Sequence, residues 1–354
     1  MKTKNIVTLI ISIVCFFDSF SQTKKELELN GKLINVDTKS VYLVQLGQDT
    51  RFDNILEIPV VNGKFQYKAS IENTIVVELC LPESVKNGAY RVLPVFLENE
   101  KINLTIYPEN EFDNNIVEGG YLNQKYKTYK NESKLLFNSK EYLQLLEWEQ
   151  KTYIPNNPNI ISYYLFLNQL IYFKENTKVD LLKKNYEILS KANPNHQYNK
   201  LAKNLIQSIE QIKVGNKYID FSAPDLNGNN IKLSSLIEGQ ITILDLWATW
   251  CSPCISKSRK LIPIFNEYKD KGLTIIGVAG EFKNTERLNQ VLKKEKWDWI
   301  NLIELDRKNS IWELYGVDNG GGGIFLINEK GIIISINPTI EEIEEYLKNN
   351  LTQN

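Results

Sequence analysis

The sequence predicts a multidomain chain, with an all-β domain first, a helical segment in the middle and an α/β domain at the C-terminus. Short runs in which apolar and polar residues alternate come first, and long runs with apolar residues at helical spacing follow. Apolar, strand-like runs on either side of a helix come last. With 354 residues, and about 150 residues per domain, the chain has room for about two domains and a connecting segment. We place the boundaries at 1–21 for a signal peptide, 22–118 for a β-sandwich-like domain, 119–213 for the helical segment and 214–354 for the α/β domain.

The composition excludes several classes of function. Lys and Arg number 42 against 43 Asp and Glu, a net charge of −1, whereas nucleic-acid binders normally carry a basic surface. The single histidine, His196, rules out a histidine-rich zinc site, and a Ser-His-Asp hydrolase would have to be built on that residue. Four cysteines are too few for a disulfide scaffold and enough for one redox pair.

The N-terminal pattern is typical of a secretory signal. Lys2 and Lys4 precede an apolar run at residues 6–17, and the small residues Ser19 and Ser21 follow it. The run is shorter than the ~20 residues that a helix needs to span a bilayer. We therefore expect export to the periplasm or cell envelope.

Cleavage before Gln22 would leave a mature protein with three cysteines, Cys80, Cys251 and Cys254. The alternative is an uncleaved N-terminus that anchors the protein, which would be its one route to membrane association. A lipoprotein site would use Cys15, but the valine before it is larger than the small residue that such sites prefer.

The first domain has the pattern of antiparallel strands. Residues 65–69 and 102–106 alternate between apolar and polar side chains, which predicts strands with one buried face. Asn62 and Gly63 lie between apolar residues, the strongest short-range signal for a hairpin. A small sandwich or barrel follows from these strands, and Cys80 is expected to be a buried core thiol.

The middle segment has apolar and aromatic residues at helical spacing, which predicts amphipathic helices. Residues 156–159 and 193–195, rich in Asn and Pro, predict loops between them. The tyrosines could form a binding surface, but such rows are more often core. We expect His196, in the second loop, to be a surface residue without a catalytic role. The spaced residues are Tyr142, Leu145, Leu146, Tyr163, Phe166 and Leu167.

The last domain predicts a β-α-β unit. Residues 241–247 and 273–279 are short apolar runs suited to strands buried on both faces, with a helix-like stretch at 256–269 between them. This order implies a parallel pair of strands joined by a right-handed crossover. A hairpin at 324–335 and a helix starting from a capping box at Thr339 and Glu342 complete the chain.

Trp250-Cys251-Ser-Pro-Cys254 is the motif that carries chemistry. It lies between the first strand and the helix, where the unpaired N–H groups and the helix dipole favour a thiolate. A spacing of three residues places both sulfurs on one helix face, within reach of a disulfide. We expect Cys251 to be the exposed nucleophile and Cys254 the shielded cysteine that resolves the mixed disulfide.

Residues 244–254 (LDLWATWCSPC) resemble the active-site strand and helix of thioredoxins, specifically the exported TlpA/ResA-like thiol-disulfide oxidoreductases. The resemblance covers about residues 216–350 and implies a thioredoxin fold. The N-terminal part resembles the uncharacterised β domain that precedes such domains in some envelope proteins. Further matches lie at 221–228 (FSAPDLNG), 271–278 (KGLTIIGV), 315–317 (YGV) and 325–328 (FLIN).

The resemblance implies thiol-disulfide exchange through the chain's own cysteines, without a bound cofactor or a metal. The implied partners are protein substrates with disulfides and an upstream thiol electron donor, and not nucleic acid. The Ser-Pro pair between the cysteines lacks the histidine of strongly oxidising motifs, which favours a disulfide reductase.

Asp245 occupies the position of the buried acid of thioredoxins. A carboxyl group desolvated there would have a raised pKa and could take the proton of Cys254. The alternative is a strand aspartate that faces solvent or is satisfied by the backbone. Some family members place a glutamate six residues after the first cysteine, and here that position is Lys257.

The chain departs from the family at residues 320–323, four glycines where thioredoxins have a cis-proline. A cis bond before a non-proline residue costs about 2.5–4 kcal/mol, so we expect a trans loop. In the family this proline rigidifies the substrate groove and keeps metals off the cysteines, so its loss leaves the substrate recognition and the redox strength of this chain open. A phosphate cradle is disfavoured because the loop leads into a strand, not a helix.

Two other functions compete with the oxidoreductase. A thiol peroxidase of the peroxiredoxin type would carry Thr or Ser three residues before its reactive cysteine, but that position is Ala248. A binding module with a weakened thioredoxin domain is the second, suggested by the glycine loop.

Overall fold

A computed structural model describes residues 26–50, 55–86, 91–138, 141–176, 178–317 and 321–351. The predicted signal peptide and its cleavage site before Gln22 lie outside these residues, as does Gly320. Within the described ranges no helix combines the length and the apolar character needed to cross a membrane.

The first part of the described chain is a β-sandwich, as predicted. One sheet has the strand order β4-β1-β7-β8 and the other β3-β2-β5-β6, and apolar side chains of both sheets form one core. The strands are β1 (Leu27–Leu33), β2 (Ser40–Gln45), β3 (Leu56–Pro59), β4 (Lys64–Ala69), β5 (Ile75–Cys80), β6 (Leu93–Leu97), β7 (Lys101–Ile106) and β8 (Ile116–Glu118), with helix α1 (Pro82–Lys86) after β5 and a 3₁₀ turn (Glu109–Asn114) before β8.

Two details of this sandwich differ from the expectation. The strands are not all antiparallel, because β1 pairs with β7 in parallel. The Asn62-Gly63 pair does form a tight turn, with φ angles of 50° and 68°, but it joins β3 and β4, which belong to different sheets. Alternation of side chains specifies which face of a strand is buried, and it carries no information about which distant strand lies alongside.

The helical segment follows the predicted spacing. Tyr163, Phe166 and Leu167 are fully buried, whereas Tyr142 is 46% exposed, so the aromatic rows are mostly core. Asn159, in the first predicted loop, caps a helix by accepting backbone N–H groups. The helices are α2 (Tyr121–Leu136), α3 (Tyr142–Trp148), α4 (Ile154–Asn156), α5 (Ile160–Tyr172), α6 (Val179–Ala192) and α7 (Tyr198–Gln211), with a π-helical turn (Glu149–Tyr153) between α3 and α4 and a 3₁₀ turn (Lys174–Asn176) after α5.

The C-terminal part has the thioredoxin fold. Its five-stranded sheet has the order β13-β12-β11-β14-β15, with β11 parallel to β12 and antiparallel to β14. The elements are β9 (Ser222–Pro224), β10 (Asn230–Lys232), β11 (Ile241–Trp247), α8 (Ser252–Tyr268), β12 (Leu273–Glu281), α9 (Glu286–Glu295), β13 (Ile300–Leu305), α10 (Ile311–Leu314), β14 (Gly323–Asn328), β15 (Ile333–Ile336) and α11 (Ile340–Leu351), with 3₁₀ turns at Leu233–Ser235 and Lys269–Lys271.

The predicted β-α-β unit, hairpin and capping box are confirmed in this domain. The Thr339 N–H donates to the Glu342 carboxylate, and the Glu342 N–H donates to the Thr339 hydroxyl. Helix α8 begins four residues earlier than predicted, directly after Cys251. Strand β11 is buried along its whole length at the centre of the sheet, so its carboxyl end fixes where the Cys-Ser-Pro-Cys motif lies.

Candidate active site

The turn between β11 and α8 places the cysteine motif at a helix N-terminus. The Cys251 N–H donates to the Ala248 carbonyl over 3.1 Å, which closes the turn. Cys251 is the N-cap of α8, and Pro253 lies in the first turn, where a proline breaks no helical hydrogen bond. The motif therefore starts the helix rather than interrupting it.

Cys251 and Cys254 form a disulfide in the structure, with their Cα atoms 5.3 Å apart. The Cys254 N–H points at the Cys251 sulfur over 3.3 Å. The predicted spacing thus brings the two sulfurs together, and the first of them receives a backbone donor of the helix N-terminus. Such a donor stabilises a thiolate more than a neutral thiol.

The expected difference in exposure between the two cysteines is wrong for this disulfide state. Cys251 is 5% exposed and Cys254 is 8% exposed, so both are buried. The loop before β14 contacts Cys254 through the Gly322 N–H. What distinguishes them is position, because Cys251 caps α8 whereas Cys254 lies inside its first turn.

Asp245 is buried beneath the motif, as the sequence predicts. It is 3% exposed, and burial raises its pKa from an ordinary 3.8 to about 6, although a hydrogen bond from Ser258 and the charge of Lys257 oppose the rise. The alternative of a solvent-facing strand aspartate is excluded. The carboxyl group is satisfied by a side chain, with the Ser258 hydroxyl 2.8 Å from its Oδ2.

Ser258 connects this acid to the cysteine helix. Its hydroxyl lies 2.8 Å from Asp245 and 3.1 Å from the Cys254 carbonyl, and a hydroxyl has one hydrogen to donate. Ser258 therefore donates to one of these two acceptors at a time, and a protonated Asp245 can donate to it in turn. Sequence reasoning missed this residue, although its place four residues after Cys254 puts it on the same helix face.

Glu281, at the end of β12, holds the turn that carries the motif. Its carboxylate accepts both the N–H and the hydroxyl of Thr249, each over 2.7 Å, and burial raises its pKa. Sequence reasoning missed Glu281 as well. The signal was available, because the carboxyl ends of two parallel neighbouring strands meet at one edge of the sheet.

Trp250 borders a small cleft next to the disulfide. Its indole N–H donates to the Gly280 carbonyl over 2.9 Å, and its ring packs against Trp312 with centroids 5.7 Å apart. Glu304, also on this cleft, accepts the first N–H groups of α10, and burial raises its pKa to about 7. The cleft is lined by Trp250, Gly280, Glu281, Phe282, Glu304, Arg307 and Trp312.

The glycine loop lies against the disulfide. No cis peptide bond occurs in the parts of the chain that the structure describes, so the loop is trans from Gly321 to Gly323. The Gly322 N–H donates to the Cys254 sulfur over 3.1 Å. Sequence reasoning identified this loop from its missing proline and did not foresee the hydrogen bond.

Cys80 and His196 lie outside this site. Cys80 is a buried free thiol, as predicted, and burial raises its pKa to about 12. The expectation of a surface histidine is wrong, because His196 is only 8% exposed. Its ring lies 2.8 Å from the Thr74 carbonyl and accepts the Tyr198 N–H, so the loop that carries it packs onto the β-sandwich. Among the described residues no group of three or more His, Cys, Asp or Glu could hold a metal ion.

Two family models match the chain. Residues 214–336 match the AhpC/TSA family, and residues 27–126 match a domain of unknown function, DUF4369. Solved structures with a similar fold include the thioredoxin domain of a thiol-disulfide oxidoreductase from Bacteroides vulgatus, at 23% identity and a TM-score of 0.36 over 40% of this chain and all of that one. Another is a putative thiol:disulfide interchange protein DsbE from Chlorobium tepidum, at 26% identity and a TM-score of 0.34 over 39% of this chain and 95% of that one.

Curated relatives match the C-terminal part. The thiol-disulfide oxidoreductase ResA of Bacillus thuringiensis is 30% identical over 142 residues, which cover 39% of this chain and 79% of the relative. The thiol:disulfide interchange protein DsbE of Allochromatium vinosum is 28% identical over 116 residues, covering 32% of this chain and 60% of the relative. The chain belongs to the ResA-like family of protein thiol-disulfide oxidoreductases.

Proposed function

We propose that the protein is an exported disulfide reductase that acts on protein substrates through Cys251 and Cys254. The observation that carries the proposal is the disulfide at the N-terminus of α8, with a backbone N–H directed at the Cys251 sulfur. This arrangement stabilises a thiolate on Cys251, the form of cysteine that attacks disulfides. Export is supported by the signal pattern around residues 2–21.

The reaction has two exchange steps. The Cys251 thiolate attacks one sulfur of a substrate disulfide, forms a mixed disulfide and releases the other substrate sulfur as a thiolate. Cys254 then loses its proton and attacks the Cys251 sulfur. The Cys251–Cys254 bond forms, the bond to the substrate breaks, and the second substrate sulfur leaves with the electron pair. Two electrons pass to the substrate, and an upstream thiol donor restores the dithiol.

Asp245 is proposed as the proton acceptor for Cys254. Its pKa of about 6 keeps it mostly ionised at neutral pH, yet closer to neutrality than an ordinary aspartate. Its hydrogen bond from Ser258 places the carboxyl group against the turn of α8 that follows Cys254. Lys257, the counterpart of the glutamate of some relatives, cannot accept a proton while it is charged, which leaves this role to Asp245.

The direction of exchange is tested by equilibrating the full chain in graded dithiothreitol or glutathione buffers and reading the cysteine state by alkylation and mass. A reductase should have a potential near ~−270 mV, whereas a value near ~−120 mV would make the protein an oxidant. Cys80→Ser should leave the potential unchanged, and Cys251→Ser should abolish the titration. If the wild type formed no Cys251–Cys254 disulfide in any of these redox buffers, the proposed function would be wrong.

The exported state has a separate test, since the protein recovered from the cell envelope should begin at Gln22.

The peroxidase alternative is not favoured, because the curated relatives are named as thiol-disulfide oxidoreductases and Ala248 stands where a peroxiredoxin has Thr or Ser. Consumption of peroxide that depends on Cys251, alongside a normal rate of disulfide reduction, would reverse this ranking.

A further inference from the structure

The glycine loop offers a backbone donor to the second sulfur of the pair. The Gly322 nitrogen lies 3.1 Å from the Cys254 sulfur, and the next residue, Gly323, pairs with Leu246 of β11. Because β14 runs antiparallel beside β11, the register of the sheet fixes this N–H next to the sulfur. The two cysteines thus have separate donors, the Cys254 N–H for Cys251 and the Gly322 N–H for Cys254.

The close approach requires a glycine at position 322. A Cβ atom there would lie 2.0 Å from the Leu246 carbonyl oxygen and 2.9 Å from the Cys254 sulfur, and both distances are impossible contacts. A Cβ atom on the neighbouring Gly321 would have nothing within 4 Å. The two adjacent glycines therefore provide a matched pair, one that needs to be glycine and one that does not.

We propose that the Gly322 N–H acts in catalysis by stabilising the Cys254 thiolate as it attacks Cys251, an inference that rests on the proposed function. A hydrogen bond to a charged sulfur is stronger than one to a disulfide or a neutral thiol. The N–H keeps its proton throughout. The electron pair of the Cys254 thiolate forms the new S–S bond, and the substrate sulfur leaves with the pair from the broken bond.

This donor depends on the absence of a proline. A proline at position 322 would have no N–H and could not donate to the sulfur. The glycine loop therefore lacks the rigid ring of a proline and instead donates a hydrogen bond to the sulfur of Cys254, the resolving cysteine.

A small disulfide, 5,5′-dithiobis(2-nitrobenzoate), separates the two steps in the full-length reduced protein. Attack by Cys251 releases one thionitrobenzoate, and resolution by Cys254 releases a second in a phase that does not depend on reagent concentration. Gly322→Ala should slow the second phase about tenfold and leave the first unchanged. Gly321→Ala should alter neither phase, and Cys254→Ser should remove the second.

The wild-type protein supplies a spectroscopic test that does not depend on how the alanine variant folds. In reduced protein labelled with ¹⁵N-glycine, the Gly322 amide proton resonance should move downfield when the pH is raised until the Cys254 thiol loses its proton. The Gly321 resonance should move much less.

An unchanged second phase in Gly322→Ala, equal slowing of both phases, or equal movement of the two amide resonances would each overturn the role of Gly322 while leaving the proposed function intact. Release of a single thionitrobenzoate by the Cys251–Cys254 pair of the wild type would overturn both.

Discussion

Asp245 is buried and its ionised form is poorly stabilised, two properties that suit a carboxyl group that exchanges protons and would weaken a purely structural one. It lies in the buried strand β11, and the Ser258 hydroxyl donates a hydrogen bond to it. The burial that raises its pKa to about 6 makes its ionised form costly to the folded protein. The same residue should therefore assist the reaction and destabilise the fold at neutral pH.

Asp245→Asn should slow the resolving step roughly 100-fold, because the amide cannot accept a proton, and should also stabilise the protein. The native pKa is raised, so the carboxyl group favours folding below its ordinary pKa of 3.8 and loses that contribution as the pH rises through about 6. The Asn variant should thus be more stable by roughly 3 kcal/mol at pH 8 and equally stable below pH 4.

Urea unfolding at both pH values, together with the second thionitrobenzoate phase, measures these effects. Lys257→Gln keeps the acid and should retain most of the rate. A loss of stability in Asp245→Asn at pH 8 would show that the carboxylate is held as a structural ion instead.

The sequence identifies those residues of the site that lie close together along the chain. Cys251 and Cys254 follow from the spacing of one turn and one helix, and Asp245 follows from the resemblance of its strand to the active-site strand of thioredoxins. The donor role of Gly322 does not, because it depends on a strand that arrives some 70 residues later and on a group that has no side chain. His196 was misplaced for the same reason. Nothing near it in sequence indicates that Thr74 lies against its ring.

At the scale of elements, the turn between β11 and α8 is held from the neighbouring strand β12. Glu281 satisfies two buried donors of Thr249, two residues before Cys251. An unsatisfied buried donor is costly, so this carboxylate keeps the turn in one conformation. The first cysteine is therefore positioned by an element that contributes no residue to the motif.

Glu281→Ala should lower the stability by about 2 kcal/mol and slow the first thionitrobenzoate phase, because the Thr249 N–H loses its acceptor inside the protein. Thr249→Val removes the hydroxyl alone and keeps the N–H bond, so its effects should be smaller. Urea unfolding and stopped-flow absorbance measure the two quantities. Equal effects of the two substitutions would contradict the importance of the N–H bond.

The elements themselves were predictable to different degrees. Strand β11 has the predicted bounds, because a continuous apolar run between polar turns clearly indicates a buried strand. Strand β13 was not identified, since Asn and Glu interrupt the isoleucines and leucines of its six residues and the apolar run is too short to stand out. The parallel pairing of β1 with β7 joins residues some 70 positions apart, and no local pattern specifies it.

At the scale of the whole molecule, the described domains contact one another beside the cysteine site. Arg307, which lines the Trp250 cleft, donates to the Gly47 carbonyl of the β-sandwich. Asn204 of helix α7 donates to Glu313 of α10 over 3.3 Å. Glu304 holds the start of α10, so a buried titratable group lies between the cleft and the helical segment.

Buried carboxyl groups should set how the stability of the entire chain depends on pH. Burial raises the pKa of Asp245 to about 6 and that of Glu304 to about 7, and it also raises the pKa values of Glu78, Glu149 and Glu281. Between pH 5 and 8 the folded protein therefore holds protons that the unfolded chain has released. Because the net charge is only −1, overall charge repulsion adds little to this balance.

Stability should accordingly fall as the pH rises from 5 to 8, by roughly 4 kcal/mol from Asp245 and Glu304 together. Carboxyl groups with lowered pKa values, such as Asp225 and Glu295, act only below about pH 4.5 and leave this window unaffected. Urea midpoints at pH 5, 6, 7 and 8 measure the slope. The double variant Asp245→Asn, Glu304→Gln should flatten this slope. Any loss of packing that the substitutions cause lowers the stability equally at each pH, and therefore leaves the slope unchanged. A wild-type midpoint that rises with pH would mean that these carboxylates are stabilised in their ionised form by the surrounding N–H and hydroxyl donors.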